Sequence, residues 1–228
     1  MKKISAFGGG KRKLAVIFDM DGVIVDNAAF HFEAWGEFCA KKGLEFNREE
    51  FRGWFGSTNR EILARLYGRK VSRQEAVKLG EEKEAIYRQI YEPVLSPVHG
   101  LAYFLNELKR YNFKLAVATS APPKNVDFVL SNSHTRKYFD AIVDASGVRH
   151  GKPSPEIYLK ASRKLRIKPQ NCLVFEDAFY GIEAARNARM KVIGVGTTHK
   201  AEELKGTEMN IHDFSQVTAE MVAVILNS

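Results

Sequence analysis

Leu14-Ala-Val-Ile-Phe18 runs directly into Asp19-Met-Asp-Gly22, an unbroken apolar stretch that ends in two carboxylates and a glycine. With no polar residue to turn toward water, such a run suits a strand buried on both faces, as in a parallel sheet covered by helices. The acidic turn at its end then lies where open parallel sheets place their ligands, beyond the carboxyl ends of the strands.

Downstream, the pattern changes period. Ala28, Phe32, Trp35 and Cys39 recur at helical spacing, and Gly43 closes the pattern as a helix C-cap would. Further helical patterns cover about 47–54, 59–67 and 72–91, with no strand signal among them. Beyond Pro93 and Pro97, a helix at 99–111 leads to a strand at 114–118 that ends at Thr119-Ser120. Helices at 123–132, 154–166 and 179–189 then alternate with strands at 140–144, 172–176 and 191–195. A weaker strand at 208–211 precedes a last helix at 215–227. Such alternation predicts an α/β fold, a doubly wound, Rossmann-like parallel sheet built from residues 1–27 and 98–228. Residues 28–97 then form an all-helical insertion after the first strand.

Composition bounds the partners. The 228 residues are 45% apolar and 27% charged, enough to bury a large core. A net charge of +8 and a pI near 9.4 suggest an anionic partner. Five of the cations, however, are Lys2, Lys3, Lys11, Arg12 and Lys13, whereas 27–97 is balanced at twelve basic and eleven acidic residues. The cluster Lys160, Arg163, Lys164, Arg166 and Lys168 falls toward a helix C-terminus, where cations suit the macrodipole and solvent. Trp35 and Phe38 sit on apolar helical stripes, not on a basic aromatic face, so a nucleic-acid-binding module is disfavoured. No run approaches the ~20 apolar residues of a membrane helix, and no signal-peptide pattern opens the chain. Cys39 and Cys172 lack metal-ligand spacing. A cytoplasmic monomer acting on a small phosphorylated substrate, without nucleic acid or membrane partner, is the expectation.

Four strand ends carry the chemistry: Asp19 and Asp21, then Thr119 and Ser120, then Lys152 in Gly-Lys-Pro-Ser-Pro, then Glu176 and Asp177. If all four carboxylates meet, each pair at ~4 Å repels by roughly 4 kcal/mol at an effective dielectric of ~20. Lys152 offsets one charge; the remainder calls for a divalent ion, and hard oxygen ligands favour Mg2+ over Zn2+. Asp19-Met-Asp-Gly lacks the later positions of an EF-hand, and Gly8 to Gly10 precedes the strand instead of forming a P-loop. With Asp19 kept ionised by Mg2+ and Lys152, it can attack phosphorus and form an aspartyl phosphate. Asp21 is then available for proton transfer, a role that calls for a raised pKa, while Ser120 donates to a phosphoryl oxygen. Singly, each motif also reads as an ordinary turn, loop or helix cap; what points to catalysis is their joint occurrence in order.

The chain resembles the haloacid dehalogenase-like (HAD) superfamily, in its β-phosphoglucomutase-like branch, over nearly its whole length. The likeness rests on Asp19-Met-Asp-Gly-Val-Ile-Val-Asp26, Thr119-Ser120-Ala121, Gly-Lys152-Pro-Ser-Pro-Glu156 and Val174-Phe-Glu-Asp-Ala-Phe-Tyr-Gly-Ile-Glu-Ala-Ala185. It implies Asp19 as nucleophile, Asp21 as acid/base, and Mg2+ held by Asp19, the Asp21 backbone carbonyl and Asp177, with Glu176 nearby. It also implies that residues 28–96 form a cap closing over substrate, with His31, Arg60, Lys83, Ala121, Lys124 and Asn125 among the residues that meet it. Asp21 and the Glu176-Asp177 pair argue against dehalogenase chemistry, which needs neither a second aspartate nor a metal. Asn27 in place of a usual Thr, a longer Gly56 to Arg60 stretch and Pro122-Pro123 depart from the mutase pattern. The preferred reading is an Mg2+-dependent phosphohydrolase of a small metabolite such as a sugar phosphate. A β-phosphoglucomutase-type isomerase is the alternative, and inorganic pyrophosphatase ranks lower.

Overall fold

A computed structural model describes residues 13–54 and 56–228. The glycine run 8–10 and the tail cations Lys2, Lys3, Lys11 and Arg12 lie outside the described residues. The strands β1 (Ala15–Phe18), β2 (Lys114–Ala118), β3 (Ala141–Val143), β4 (Cys172–Glu176), β5 (Lys191–Val195) and β6 (Met209–Ile211) form one sheet. Their order is β3-β2-β1-β4-β5-β6, and every pairing is parallel.

Helices cover both faces, so the central strands β1 and β4 are buried throughout, as the apolar run at 14–18 implies. Between β1 and β2 come α1 (Ala28–Lys42), α2 (Arg48–Arg52), α3 (Asn59–Leu66), α4 (Arg73–Tyr91) and α5 (Leu101–Arg110); α6 (Pro123–Asn132), α7 (Glu156–Leu165), α8 (Phe179–Asn187) and α9 (Ala219–Asn227) follow. Along β1 the side chains alternate: Val16 and Phe18 join the core under α5, α6 and α9, and Ala15 and Ile17 join that under α7 and α8. On the first face the Phe18 and Phe175 rings stack at 5.1 Å, with Phe104 and Phe214 packed around them.

The helices α1 to α4 enclose a separate apolar cluster built on Trp35, Phe38, Phe51 and Leu63. The chain leaves for this block and returns at one place: Val25 bridges Pro97, and the Val98 amide donates to the Ile24 carbonyl at 2.9 Å. Among the described residues no helix is long and apolar enough to cross a membrane.

Element ends differ modestly from those read in the sequence, and local capping explains the differences. The expected helix at 215–227 is split because Val217 is extended and the Thr218 hydroxyl caps α9 by accepting from the Met221 amide. Ser154 and Pro155 belong to the turn that enters α7, which begins at Glu156 instead of 154. Asn47 caps α2, which spans only Arg48–Arg52.

One carboxylate ties α5, β2 and the start of β3 together. Asp140 accepts from Lys109 (2.9 Å), Lys114 (2.8 Å) and the Leu115 amide (2.9 Å). Burial raises its pKa, but the hydrogen bonds from Lys114, the Leu115 amide and Lys109 outweigh that and take it from 3.8 to about 2. A depressed carboxyl pKa stabilises the fold above the unfolded value, and the contribution is lost as pH falls through the folded one. Asp140→Asn should therefore destabilise the protein by about 1 kcal/mol at neutral pH. In urea unfolding, the gap to the parent should close between pH ~4 and pH ~2.

Candidate active site

Strand order sets the place. The chain moves one way from β1 to β2 and the other from β4 to β5, so the loops after β1 and β4 part and leave a crevice at their carboxyl ends. Asp19 follows β1, its amide donating to the Phe175 carbonyl at 3.1 Å, and Glu176 and Asp177 close β4. One oxygen from each of these three carboxylates lies within 4.8 Å of the others, and all three residues are buried.

Lys152 stands among them with its side chain fully buried. Its ammonium is 3.0 Å from Asp19 Oδ1 and makes a short ion pair with Glu176 Oε1. Glu176 is saturated: Oε1 also accepts from the Tyr158 hydroxyl at 2.8 Å, and Oε2 from the amides of Asp177 (2.9 Å) and Ala178 (3.0 Å). Asp19 Oδ1 and Asp177 Oδ2, by contrast, are buried and less fully partnered, the former having the Lys152 ammonium at 3.0 Å. Two such carboxylate oxygens in a group of three carboxylates and one ammonium fit a hard divalent cation.

The protonation equilibria agree. Burial lifts the Asp19 pKa to about 7, against the pull of Lys152 and with help from Glu176 and Asp21. Asp177 is raised well above the usual range by burial, then by Glu176 and Asp19. Burial lowers the Lys152 pKa, but Asp19 and Glu176 overcome it and drive the pKa up. Protons thus take up part of the charge that a cation would neutralise.

Asp21 stands apart, which corrects the expectation of four clustered carboxylates. Its side chain turns to Asn27, whose Nδ2 donates to Oδ1 at 2.7 Å, and to His31, whose Nε2 is 3.7 Å away. The Asn27 amide group also meets the Tyr87 hydroxyl (2.6 Å) and accepts from the Gly22 amide (3.2 Å). His31 stacks on Tyr87 and meets the Lys83 ammonium at 2.7 Å through Nδ1. Burial alone would raise the Asp21 pKa, but His31 and Asn27 outweigh it and hold the group below its ordinary value. The raised pKa expected for an acid/base residue is not found in this arrangement, because the sequence cannot show which donors fold against the carboxylate.

Ser120, Ala121, His31, Lys83 and Asn125 line the same small cavity, about 60 Å3, as Asp19, Asp21 and Asp177. Ser120 Oγ donates to the Gly56 carbonyl at 2.9 Å, so the helical block rests on the residue expected to hold phosphate. Two of the candidates for substrate binding lie outside this lining. Arg60 is exposed and its Nε donates to the Val71 carbonyl at 3.1 Å, as a residue bracing the start of α3. Lys124 is exposed and pairs with Glu81 at 2.8 Å. Sequence reasoning missed Tyr158, which meets Glu176, and Asn59 and Glu84, which line the cavity. Tyr158 follows the apolar period of α7 and Glu84 sits in an acidic helical run, so no local signal marks either.

Residues 16–195 match the haloacid dehalogenase-like hydrolase family. The chain is 32% identical over 216 residues to a β-phosphoglucomutase of Bacillus subtilis, covering 91% of this chain and 93% of that protein. It is 34% identical over 198 residues to a phosphorylated carbohydrates phosphatase of Thermotoga maritima, covering 84% and 88%. Among solved structures, a β-phosphoglucomutase from Clostridium difficile superimposes with a TM-score of 0.84 at 32% identity, over 94% of this chain and 97% of that one.

Two glycines make room for the carboxylates. At Gly22 (φ +77°) a Cβ would run into the Asp177 carboxylate and approach the Thr198 hydroxyl, and at Gly181 in α8 it would run into the Glu176 carboxylate. Inside a helix, Gly→Ala ordinarily gains about 0.5–1 kcal/mol. At Gly181 the collision should reverse the sign, and Gly181→Ala is expected to destabilise by about 1–3 kcal/mol in denaturant unfolding.

Proposed function

Because the chain belongs to the haloacid dehalogenase-like hydrolases, we propose that it is a magnesium-dependent phosphatase of small sugar phosphates that works through phosphorylated Asp19. The observation that carries this reading is the convergence of Asp19, Lys152, Glu176 and Asp177 on one buried crevice, with Asp21 beside it on its own set of donors. The activity borne by the Thermotoga maritima relative's name is of this kind.

Asp19, Asp177 and the Asp21 backbone carbonyl are the groups that would hold Mg2+, which when bound supplies positive charge to phosphoryl oxygens. Lys152 favours the ionised form of Asp19 against the effect of burial and neutralises charge at the same place. Asp19 attacks phosphorus in line with the ester oxygen; as its bond forms, the ester P–O bond breaks and Asp21 gives its proton to the departing oxygen. Asp21, now a carboxylate, takes a proton from water as that water attacks the aspartyl phosphate, releasing orthophosphate and restoring Asp19. The arrangement that holds Asp21 ionised suits this second half directly. An arriving phosphate raises the proton affinity of Asp21 by like-charge repulsion, which serves the first.

Residues 28–97 act as the cap. A cavity of about 60 Å3 is smaller than the ~300 Å3 at which ligand sites begin. Substrate therefore enters when the block swings about the joint at Val25 and Pro97, which also frees the Ser120 hydroxyl from Gly56 for phosphate. A second reading, transfer to a sugar hydroxyl as in β-phosphoglucomutase, draws on the contact of His31 with Asp21 and on the likeness to the Bacillus subtilis enzyme. Incubation with β-glucose 1-phosphate, Mg2+ and a trace of the 1,6-bisphosphate separates the two. Phosphate release is expected to exceed glucose 6-phosphate formation, and the reverse would favour the isomerase.

Asp19→Asn should lower kcat at least ~10³-fold with an unchanged circular dichroism spectrum. Asp21→Asn should lower it about 10²–10⁴-fold. For metal binding, the pKa of about 7 at Asp19 fixes the direction. A carboxyl whose folded pKa is raised costs stability as pH climbs from the unfolded value to the folded one, so Asp19 should take stability from the metal-free protein between pH ~4 and ~7, with the full cost present above. Mg2+ at 100 times its Kd should restore up to about 2.7 kcal/mol, with a larger thermal shift at pH 8 than at pH 6.

A further inference from the structure

At the seam between α4 and α6, a continuous chain of polar groups runs behind the cavity wall. Lys124 Nζ pairs with Glu81 Oε1 at 2.8 Å, and Arg88 Nη2 binds the same oxygen at 2.7 Å. Arg88 Nη1 then donates to Asn125 Oδ1 at 2.7 Å, and Asn125 Nδ2 donates to Glu84 Oε2 at 2.6 Å. The other Glu84 oxygen accepts from Asn59 (2.8 Å) and Lys83 (3.0 Å). Burial raises the Glu84 pKa, but Lys83, His31, Asn59 and Asn125 together hold it ionised.

The chemistry of this place is that of an anion site already filled. Lys124 and Asn125 lie in the first turn of α6, where backbone amides and dipole favour negative charge, and Arg88 adds a second cation with a guanidinium fork. Both cations are engaged by Glu81, and the amide of Asn125 by Glu84, which itself lines the cavity. Among the described lining residues Lys83 is the one lysine or arginine; it is 1% exposed and paired with Glu84.

Resting on the phosphatase reading above, we propose that this Lys124, Glu81, Arg88, Asn125 and Glu84 chain is a specificity element that admits phosphate monoesters with a neutral, hydroxyl-bearing far end and rejects those carrying a second phosphate. A second phosphate would have to displace Glu81 from both cations and lie against the ionised Glu84. Hydroxyl groups instead find Glu84 and Asn59 as hydrogen-bond partners in the wall. Glu81 acts here as a positioning residue, holding the two cations away from the substrate.

The test is kcat/KM for fructose 1-phosphate against fructose 1,6-bisphosphate at fixed Mg2+ and ionic strength. The parent should prefer the monophosphate by ~100-fold or more. Glu81→Gln should narrow that ratio by ~10-fold, chiefly by raising the bisphosphate value, with Glu81→Asp restoring most of it. Equal use of both esters by the parent, or a ratio untouched in Glu81→Gln, overturns the proposal and leaves the phosphatase reading standing. If neither ester is hydrolysed, it is the phosphatase reading that fails. Thermal shifts of Asp19→Asn with Mg2+ and either ester then decide: a shift with the monophosphate alone supports the element, and equal shifts overturn it.

Discussion

Three carboxylates share a buried crevice with a single ammonium, and much of the surrounding structure accommodates that placement. At ~4 Å and an effective dielectric of ~20, each like-charged pair costs roughly 4 kcal/mol. The chain offsets this in several ways. Lys152 bridges Asp19 and Glu176, the Tyr158 hydroxyl and two backbone amides complete Glu176, and Gly22 and Gly181 leave the space the side chains occupy. What stays uncompensated, one oxygen each at Asp19 and Asp177, suits a cation.

Asp19 and Asp21 are two residues apart yet live in different electrical surroundings. Asp19 faces other carboxylates, and its pKa climbs to about 7. Asp21 faces Asn27 and His31, and its pKa falls. The first set of neighbours comes from the sheet, the second mostly from α1 and α4 of the helical block. The helical block therefore supplies most of the electrical surroundings of Asp21, and the carboxyl ends of the strands supply most of those of Asp19.

The same core serves relatives named as a phosphatase and as a mutase, at nearly equal identity to this chain. Strand-end chemistry common to both cannot distinguish the acceptor of the phosphoryl group. Away from the strand ends, between α4 and α6, Glu81, Glu84 and Arg88 engage Lys124 and Asn125.

By itself the sequence determined the order of helices and strands and that Asp19, Lys152, Glu176 and Asp177 meet in the crevice. Apolar runs of four or five residues ending in Asp19, Thr119 or Glu176 are local signals, and the rule that a doubly wound sheet binds ligand at its carboxyl ends converts them into a site. Tertiary structure alone decided that Asp21 leaves the acidic cluster, that Arg60 braces the Val71 carbonyl, that Lys124 is held by Glu81, and that Tyr158 reaches Glu176. The physical reason is range. Periodicity is set by backbone geometry over a few residues, whereas these contacts join residues 6 to 43 apart in the chain and depend on how their elements land against one another, which side-chain spacing does not encode.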